Sequence, residues 1–538
     1  MADVERTRTT ADSSGFWNGP ARAVRAAALV LAAACSFVAG CSDDEGEVAL
    51  NSDTTPEADR GGLGEPACDG SVESPETRFI VDDCGRVVIL RGVNVESSSK
   101  GDAQSDDHLP ESGMAAQSSL ARWGWNNVRF LVFWGAIEPE DGEFDEGYLD
   151  RVGEWLDWYA DNGIHVVLDM HQDLYGWAVN GDGAPDWAVD TKGAEPVHLA
   201  DGQPWYVQGA DPAVQNAYQS FWNPEEGQRD LRVDYFEALA HLVERFAGHP
   251  AVIGYDVMNE PSFANGDLGA TLAIQPQAAA GEFVNPNLTE FMQRGIDTVR
   301  QHDQDAWVMV EPTSLLNAFP YAGDLEFDKL TDPREGPPRL SYAGHLYQQQ
   351  VHDGLGYPEN DPYLATWEGF RSAEADRMDG SLYIGEWGGA PDQDRMDAYV
   401  EEFADMADRL MASWAFWSWD PGGWSPVESD GETLSSNGER LLRVQPRAIA
   451  GTPTSFAWEA ATKVFRMSWT ERRDAVGPTE LAVPAELFPG GVEVVLDGQL
   501  TDVDWDRGRS VLSFDADRDR VSHTVCVQPA GSDACGAG

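Results

Sequence analysis

Two glutamates stand at the ends of apolar runs, where a carboxyl group is costly unless it has work to do. Glu260 closes Asp256-Val257-Met258-Asn259-Glu260-Pro261, and Glu386 sits in Tyr383-Ile384-Gly385-Glu386-Trp387-Gly388. A carboxylic acid and a carboxylate about 5 to 5.5 Å apart are what cleavage of a glycosidic bond with retention requires, one protonating the leaving oxygen and the other attacking the anomeric carbon. The surrounding residue types suit that division. Asn259 offers an amide to a sugar 2-hydroxyl, and Arg129 and Tyr347 are candidates to hold Glu386. Taken alone, Asn-Glu-Pro also serves as a plain loop stop. The pair carries chemistry only if one scaffold brings both glutamates together.

The elements that would position them are legible as eight short apolar runs separated by longer amphipathic stretches. The runs are 87–96, 126–134, 164–172, 252–260, 306–312, 340–347, 381–388 and 413–420. Runs rich in Val, Ile and Phe alternating with helices make βα units around a parallel sheet, and eight of them make a (β/α)8 TIM barrel. Helices are expected over 148–163, ending on a Gly stop, over 232–250, ending on Gly and Pro, and over 287–304, opening with an Asn. Each run turns polar or aromatic at its end: Asn94 and Glu96, Arg129 and Trp134, His171 and Asp173, Asn259 and Glu260, Glu311, His345 and Tyr347, Glu386, and Trp417 and Asp420. In a barrel those ends share the face on which active sites form. After Arg443 the texture changes to short alternating segments with turn signals, which predicts a small C-terminal antiparallel β-sandwich. No cluster of exposed aromatics marks it as a binding module, so buttressing the barrel is its expected role.

Asn-Glu-Pro on the fourth run and Gly-Glu-Trp-Gly on the seventh, with His345-Leu346-Tyr347 and Phe416-Trp417-Ser418-Trp419, resemble the family 5 retaining glycoside hydrolases from about Val87 to Asp420. The resemblance implies Glu260 as acid/base, Glu386 as nucleophile, His345 and Tyr347 as residues that orient the nucleophile, and Trp417 as a sugar-stacking floor. Within that family, His171-Gln172-Asp173-Leu174-Tyr175-Gly176-Trp177, then Gly183-Ala184-Pro185-Asp186-Trp187-Ala188, and Gly92-Val93-Asn94-Val95 leading into Ser98-Ser99-Lys100, look like the endoglycoceramidases. Those enzymes cut between the reducing-end sugar of a glycosphingolipid and ceramide. By that likeness Lys100, Asp173, Trp205, Asn259, Tyr347 and Trp417 would contact the glycan, with Arg129, His171 and His345 in support. Trp177 and Trp187 compete with Trp205, and Tyr342 competes with Tyr347. A Lys in a Ser-rich loop is also often just solvated, and a Trp near a strand end is often core. Leu315-Leu316-Asn317-Ala318-Phe319-Pro320-Tyr321 would either line an apolar groove for the ceramide chains or pack beneath a loop. Another family 5 β-glycosidase, a glucanase or a lipid or steryl β-glucosidase, shares the same glutamates, and a non-catalytic carbohydrate-binding lipoprotein is the rival of a different class.

Composition bounds the rest. At 538 residues the chain has room for a barrel and a smaller domain, and 36 Lys and Arg against 93 Asp and Glu give a formal charge of −57. Such a polyanion repels nucleic acid and anionic lipid headgroups. Arg6, Arg8, Arg22 and Arg25 precede an apolar small-residue stretch that ends in Val38-Ala39-Gly40-Cys41, which resembles a bacterial lipobox. Residues 1–41 are therefore expected to direct export, with lipidation at Cys41 as a membrane tether; an ordinary secretory peptide is the alternative. Residues 42–66 read as a disordered acidic stalk, 67–443 as the catalytic domain and 444–538 as the β-sandwich. Outside the cell, Cys68–Cys84 and Cys526–Cys535 are expected to form disulfides. No Cys/His spacing suggests a metal site and no phosphate-binding loop is present, so neither metal nor cofactor is expected. A monomer acting on a glycosphingolipid is the resulting expectation.

Overall fold

The computed structural model describes residues 72–101, 107–198, 205–262, 283–318 and 327–536. Its first strand, β1 (Val87–Val88), does not join the barrel. It pairs antiparallel with Ile449 and Ala448 of the C-terminal region, and the chain then steps into β2 (Arg91–Val95), so the expected single run 87–96 is two strands in two different sheets. The hand-over is made by hydrogen bonds from Ile89 N–H to the Arg447 carbonyl and from Leu90 N–H to Ser413 Oγ.

Among the described residues, eight parallel strands close into a barrel in chain order: β2, β3 (Asn127–Val132), β4 (His165–Met170), β5 (Val252–Asp256), β6 (Trp307–Val310), β7 (Leu340–Tyr342), β8 (Ser381–Ile384) and β9 (Ser413–Trp419). Each predicted run holds one of them. β3 shows why the runs look continuously apolar: all six residues are buried, because both faces of a parallel barrel strand are covered. The alternation of side chains sends Phe130 outward onto Trp155 and Tyr159 of the helix Glu146–Asp161, while Arg129 points into the barrel interior. That helix starts where the Asp145 carboxylate accepts the Tyr148 N–H at 2.9 Å. The helix Leu231–Phe246 is capped in the same way by Asp230, and the third expected helix is found at Thr289–His302.

Residues after the barrel form β10 (Gln445–Ile449), β11 (Gly451–Glu459), β12 (Val464–Glu471), β13 (Thr479–Ala482), β14 (Val492–Leu496), β15 (Gln499–Thr501), β16 (Asp504–Asp506), β17 (Val511–Phe514) and β18 (Ser522–Pro529). They make two antiparallel five-stranded sheets, β1-β10-β13-β17-β16 and β11-β12-β18-β14-β15. The Cys526–Cys535 disulfide ties β18 to the C-terminal tail. Cys68, and with it the Cys68–Cys84 pairing, lies outside the described residues, as do Cys41 and the leader and stalk.

The sandwich is seated at the end of the barrel where the strands begin. Arg447 Nη2 donates to the carbonyl of Gly163 just before β4, and Gln445 Nε2 to that of Gly124 just before β3. Val167, Trp307, Met309 and Tyr383 of the barrel share one apolar cluster with Phe465, Met467 and Trp469 of the sandwich. The opposite end, where the strands finish, is left for chemistry.

Candidate active site

Arg129 organises that end. Its guanidinium is fully buried and touches Asp256 Oδ2 at 3.2 Å, Asn94 Oδ1 at 3.0 Å, Glu386 Oε1 at 2.9 Å, Asn259 Oδ1 at 2.9 Å, Glu311 Oε1 at 2.9 Å and Asp169 Oδ1 at 3.0 Å. These partners come from the ends of β2, β4, β5, β6 and β8, so one cation ties five strands together. Burial opposes its charge, but the carboxylates around it hold the Arg129 pKa above its ordinary value. Burial and the adjacent Glu311 carboxylate push the Asp256 pKa above the usual carboxyl range, against the pull of Arg129.

The two candidate glutamates lie side by side above this layer. Glu260, Glu386 and His345 each place a polar atom within 4.8 Å of the others, so the two carboxyl groups are near neighbours, as cleavage with retention requires. Glu386 Oε1 accepts from Arg129 and Oε2 from the Tyr347 hydroxyl at 2.8 Å. Glu260 Oε1 accepts from Asn317 Nδ2 at 2.7 Å and from His345 Nδ1 at 2.8 Å. Burial raises the Glu260 pKa to about 7; His345 pulls it back and the Glu386 charge adds to the rise. Glu260 also has a φ of +42°, rare for a residue with a side chain. Its N–H is held by Glu311 Oε2 at 2.7 Å and its carbonyl by Gln172 Nε2 at 3.1 Å. The backbone strain is thus fixed from both sides, and the carboxyl is aimed at Glu386.

His345 departs from its expected role. The family resemblance implies that it orients the nucleophile, yet its hydrogen bond runs to Glu260, and Glu386 Oε2 is 3.6 Å away. Burial alone would lower its pKa, but Glu311 and Glu386 raise it well above the ordinary value, so it stands as a protonated donor to the acid. Tyr347, and not Tyr342, reaches Glu386; the Tyr342 hydroxyl accepts from Arg371 instead. Asn259 gives its carbonyl to Arg129 and one N–H to the Gln172 carbonyl, which leaves the second N–H of the amide for a sugar hydroxyl.

A second group gathers beside this pair. The Lys100 ammonium bonds to Asp173 Oδ2 and lies 4.5 Å from the centre of the Trp417 ring, and that ring stacks on His171 at 5.7 Å and 12°. Desolvation disfavours the Lys100 charge, yet Asp173 and Asp182 raise its pKa overall. Burial would raise Asp173, but Lys100 and His171 bring it below the usual range. His171 is held by Asp169 at 2.7 Å and rises to about 9 against its burial. Trp205 opens the turn Trp205–Ala210, and its side chain lies outside the described residues. Of the other polar strand ends, Glu96 ties down Ser112 and Trp134 bonds Glu138, both away from the glutamates.

Asn317, Asp182 and Gln172 are not marked as site residues by the sequence, and Glu311 is marked only as a polar strand end. Asn317 lies inside the stretch expected to be an apolar groove; its neighbour Leu316 packs into the core, and Phe319–Tyr321 fall outside the described residues. Two sets, His171/Asp173/Asp182 and Glu260/His345/Glu386, have the spacing of metal ligands. In the first set Lys100 bonds Asp173, and in the second Glu260 and Glu386 are already bonded by Asn317, His345, Arg129 and Tyr347.

A closed (β/α)8 barrel that sets two glutamates side by side at the ends of its strands, one raised in pKa and one held by an arginine and a tyrosine, suits glycosidic cleavage with retention. The chain belongs to glycoside hydrolase family 5: the model of the cellulase domain of that family matches residues 88–423, and that of the family's C-terminal domain matches residues 443–527. It is similar to endoglycoceramidase I of Rhodococcus hoagii (strain 103S), 27% identical over 431 residues that cover 78% of this chain and 81% of the relative. The solved endo-glycoceramidase II from Rhodococcus sp. in complex with ganglioside GM3 superposes with a TM-score of 0.75, at 32% identity over 85% of this chain and 100% of its own. The lactosyl-enzyme intermediate of that protein gives a TM-score of 0.73, at 33% identity over 84% and 100%.

Proposed function

We propose that this chain hydrolyses the β-linkage between the reducing-end sugar of a glycosphingolipid and ceramide, releasing the intact oligosaccharide. The observation that carries the reading is the pairing of Glu260 and Glu386 side by side at the strand ends of a chain similar, over most of its length, to endoglycoceramidases. Glu386 attacks the anomeric carbon while Glu260 gives its proton to the ceramide oxygen, so the C–O bond breaks and ceramide leaves as an alcohol. The sugar is then an ester of Glu386. Esterification removes the Glu386 charge that had helped raise Glu260, so Glu260 loses affinity for a proton just when a base is needed. It takes a proton from water, the hydroxide attacks the anomeric carbon, and Glu386 departs as the carboxylate.

The free Asn259 N–H serves the 2-hydroxyl, Trp417 gives an indole face to a pyranose ring, and Lys100 and Asp173 hydrogen-bond sugar hydroxyls. Export and attachment through Cys41 would place a monomeric enzyme at a membrane surface where glycolipid is presented. Replacing Cys41 by Ser and following membrane association in cells tests that part. The activity is tested by incubating leaderless protein with GM3 and, separately, with a soluble β-glucan. Intact oligosaccharide and free ceramide support the reading; cleavage of glucan alone keeps the mechanism and overturns the substrate.

A further inference from the structure

Glu260 meets its two side-chain donors through a single oxygen. Oε1 accepts from Asn317 Nδ2 at 2.7 Å and from His345 Nδ1 at 2.8 Å, so both of its lone pairs are taken. Among the described residues, no hydrogen bond reaches Oε2. An amide can turn either its NH2 or its oxygen to a neighbour; with His345 donating to Oε1, an amide oxygen there would meet a lone pair, and Nδ2 is the group that fits. Asn317 is buried and its backbone is fixed. Its N–H donates to the Ser314 carbonyl at 3.1 Å, and its own carbonyl accepts from the Tyr347 N–H at 3.3 Å and from the Tyr363 hydroxyl. Both ends of this turn lead to a glutamate of the pair. The Ser314 N–H donates at 3.0 Å to the carbonyl of Pro261, the residue after Glu260, and the Tyr347 hydroxyl bonds Glu386 at 2.8 Å. One frame therefore sets the Asn317 amide and the two carboxyl groups.

We infer that Asn317 is a positioning residue for the acid/base: by donating to Oε1 alongside His345, it reserves Oε2 of Glu260 as the oxygen that gives a proton to the leaving group and later takes one from water. The inference rests on the preceding reading of Glu260 as the acid. A proton on Oε1 would face two N–H groups, so the neutral carboxyl carries it on Oε2. After the proton has left, the same two donors stabilise the carboxylate. Asn317 thus strengthens the acid as well as orienting it, and its loss should be felt most where the leaving oxygen needs the proton most.

Two aryl β-lactosides test this without calling on ceramide. Phenol is a poor leaving group that needs protonation, whereas 2,4-dinitrophenol departs without it, and kcat/KM is read for both at pH 6. Asn317→Leu removes the donor at similar size, and its kcat/KM should fall about tenfold more on the phenyl than on the dinitrophenyl substrate. A donor to the carboxylate favours the charged form, so without it Glu260 holds its proton to higher pH, and the alkaline limb of the phenyl profile should move up. Asn317→Asp, equal in size to the amide, sets a second carboxylate against Oε1 and should move the limb the same way; if Asn317→Leu gives no folded protein, this limb decides alone. Equal losses of Asn317→Leu on the two substrates, as a merely distorted cleft would give, or a limb that stays or moves down in the variants, overturns the inference. Glu260→Gln, followed alongside, reports on the acid itself and should discriminate between the substrates by about a hundredfold or more. Discrimination by Glu260→Gln without any by Asn317→Leu removes the role of Asn317 alone, and equal losses by Glu260→Gln remove the acid reading and this inference with it.

Discussion

Glu260 is asked to be an acid at one step and a base at the next, and its surroundings fit both. With a pKa raised to about 7 by burial, it is protonated in mildly acidic solution, and kcat/KM on a glycosphingolipid should fall as pH rises through about 7. A pH profile flat from 6 to 8.5 would contradict this. The same shift has a cost in stability. Between the ordinary carboxyl value of 4.5 and about 7, the folded chain keeps a proton that the unfolded chain releases, so stability falls as pH rises through that window. Glu260→Gln removes the titration, and its Tm should exceed that of wild type at pH 8, with the gap closing below pH 4.5. An equal gap at both pH values would locate the effect elsewhere. At this scale Glu260, Glu386, Asn259 and Tyr347 were legible because each closes an apolar run, Arg129 because it is a lone charge on one, and Lys100 and Asp173 through the resemblance to the endoglycoceramidases. Asn317 did not stand out, since it lies on a short helix among leucines and is brought to Glu260 by the loop after β6. Nor did the proton sharing that ties His345 to Glu260 and not to Glu386, because it depends on Glu311 behind the ring.

At the scale of elements, the barrel is set by close backbone approach as much as by apolar pairing. Gly92 on β2 faces Asn127 of β3 so tightly that a Cβ there would lie 1.7 Å from the Asn127 carbonyl oxygen. Gly92→Ala must therefore push β2 from β3 and shift Asn94, which bonds Arg129 two residues on. Overpacking of this kind should cost about 1–3 kcal/mol or more, read as a lower urea midpoint together with lost activity. A variant with unchanged midpoint would show that the strand can yield. The eight runs were legible because barrel strands are buried on both faces. The split of 87–96 was not, since Val87–Val88 and Arg91–Val95 are equally apolar and only their partners differ. The helix Tyr363–Met378 was also missed, for a different reason. Its buried stripe includes Arg371 and Glu374, paired with each other, so the polar residues that a sequence reading assigns to solvent lie inside.

For the whole molecule, the sandwich closes the end of the barrel opposite the glutamates. Change in texture after Arg443 was enough to predict it, but not that it would borrow β1 from the start of the chain or share an apolar cluster with the barrel floor. Removing residues 444–538 would expose that cluster and leave β1 without a partner. The truncated chain should give no cooperative melt and little soluble protein, although every catalytic group is retained. A soluble truncated barrel as active as the full chain on an aryl β-lactoside would show the sandwich to be dispensable. The account as a whole turns on which carboxylate carries the sugar. Incubation with an activated 2-deoxy-2-fluoro-β-lactoside, followed by proteolysis and mass spectrometry, should place a single lactosyl adduct on Glu386. An adduct on Glu260, or full inactivation with Glu386 unmodified, would contradict it.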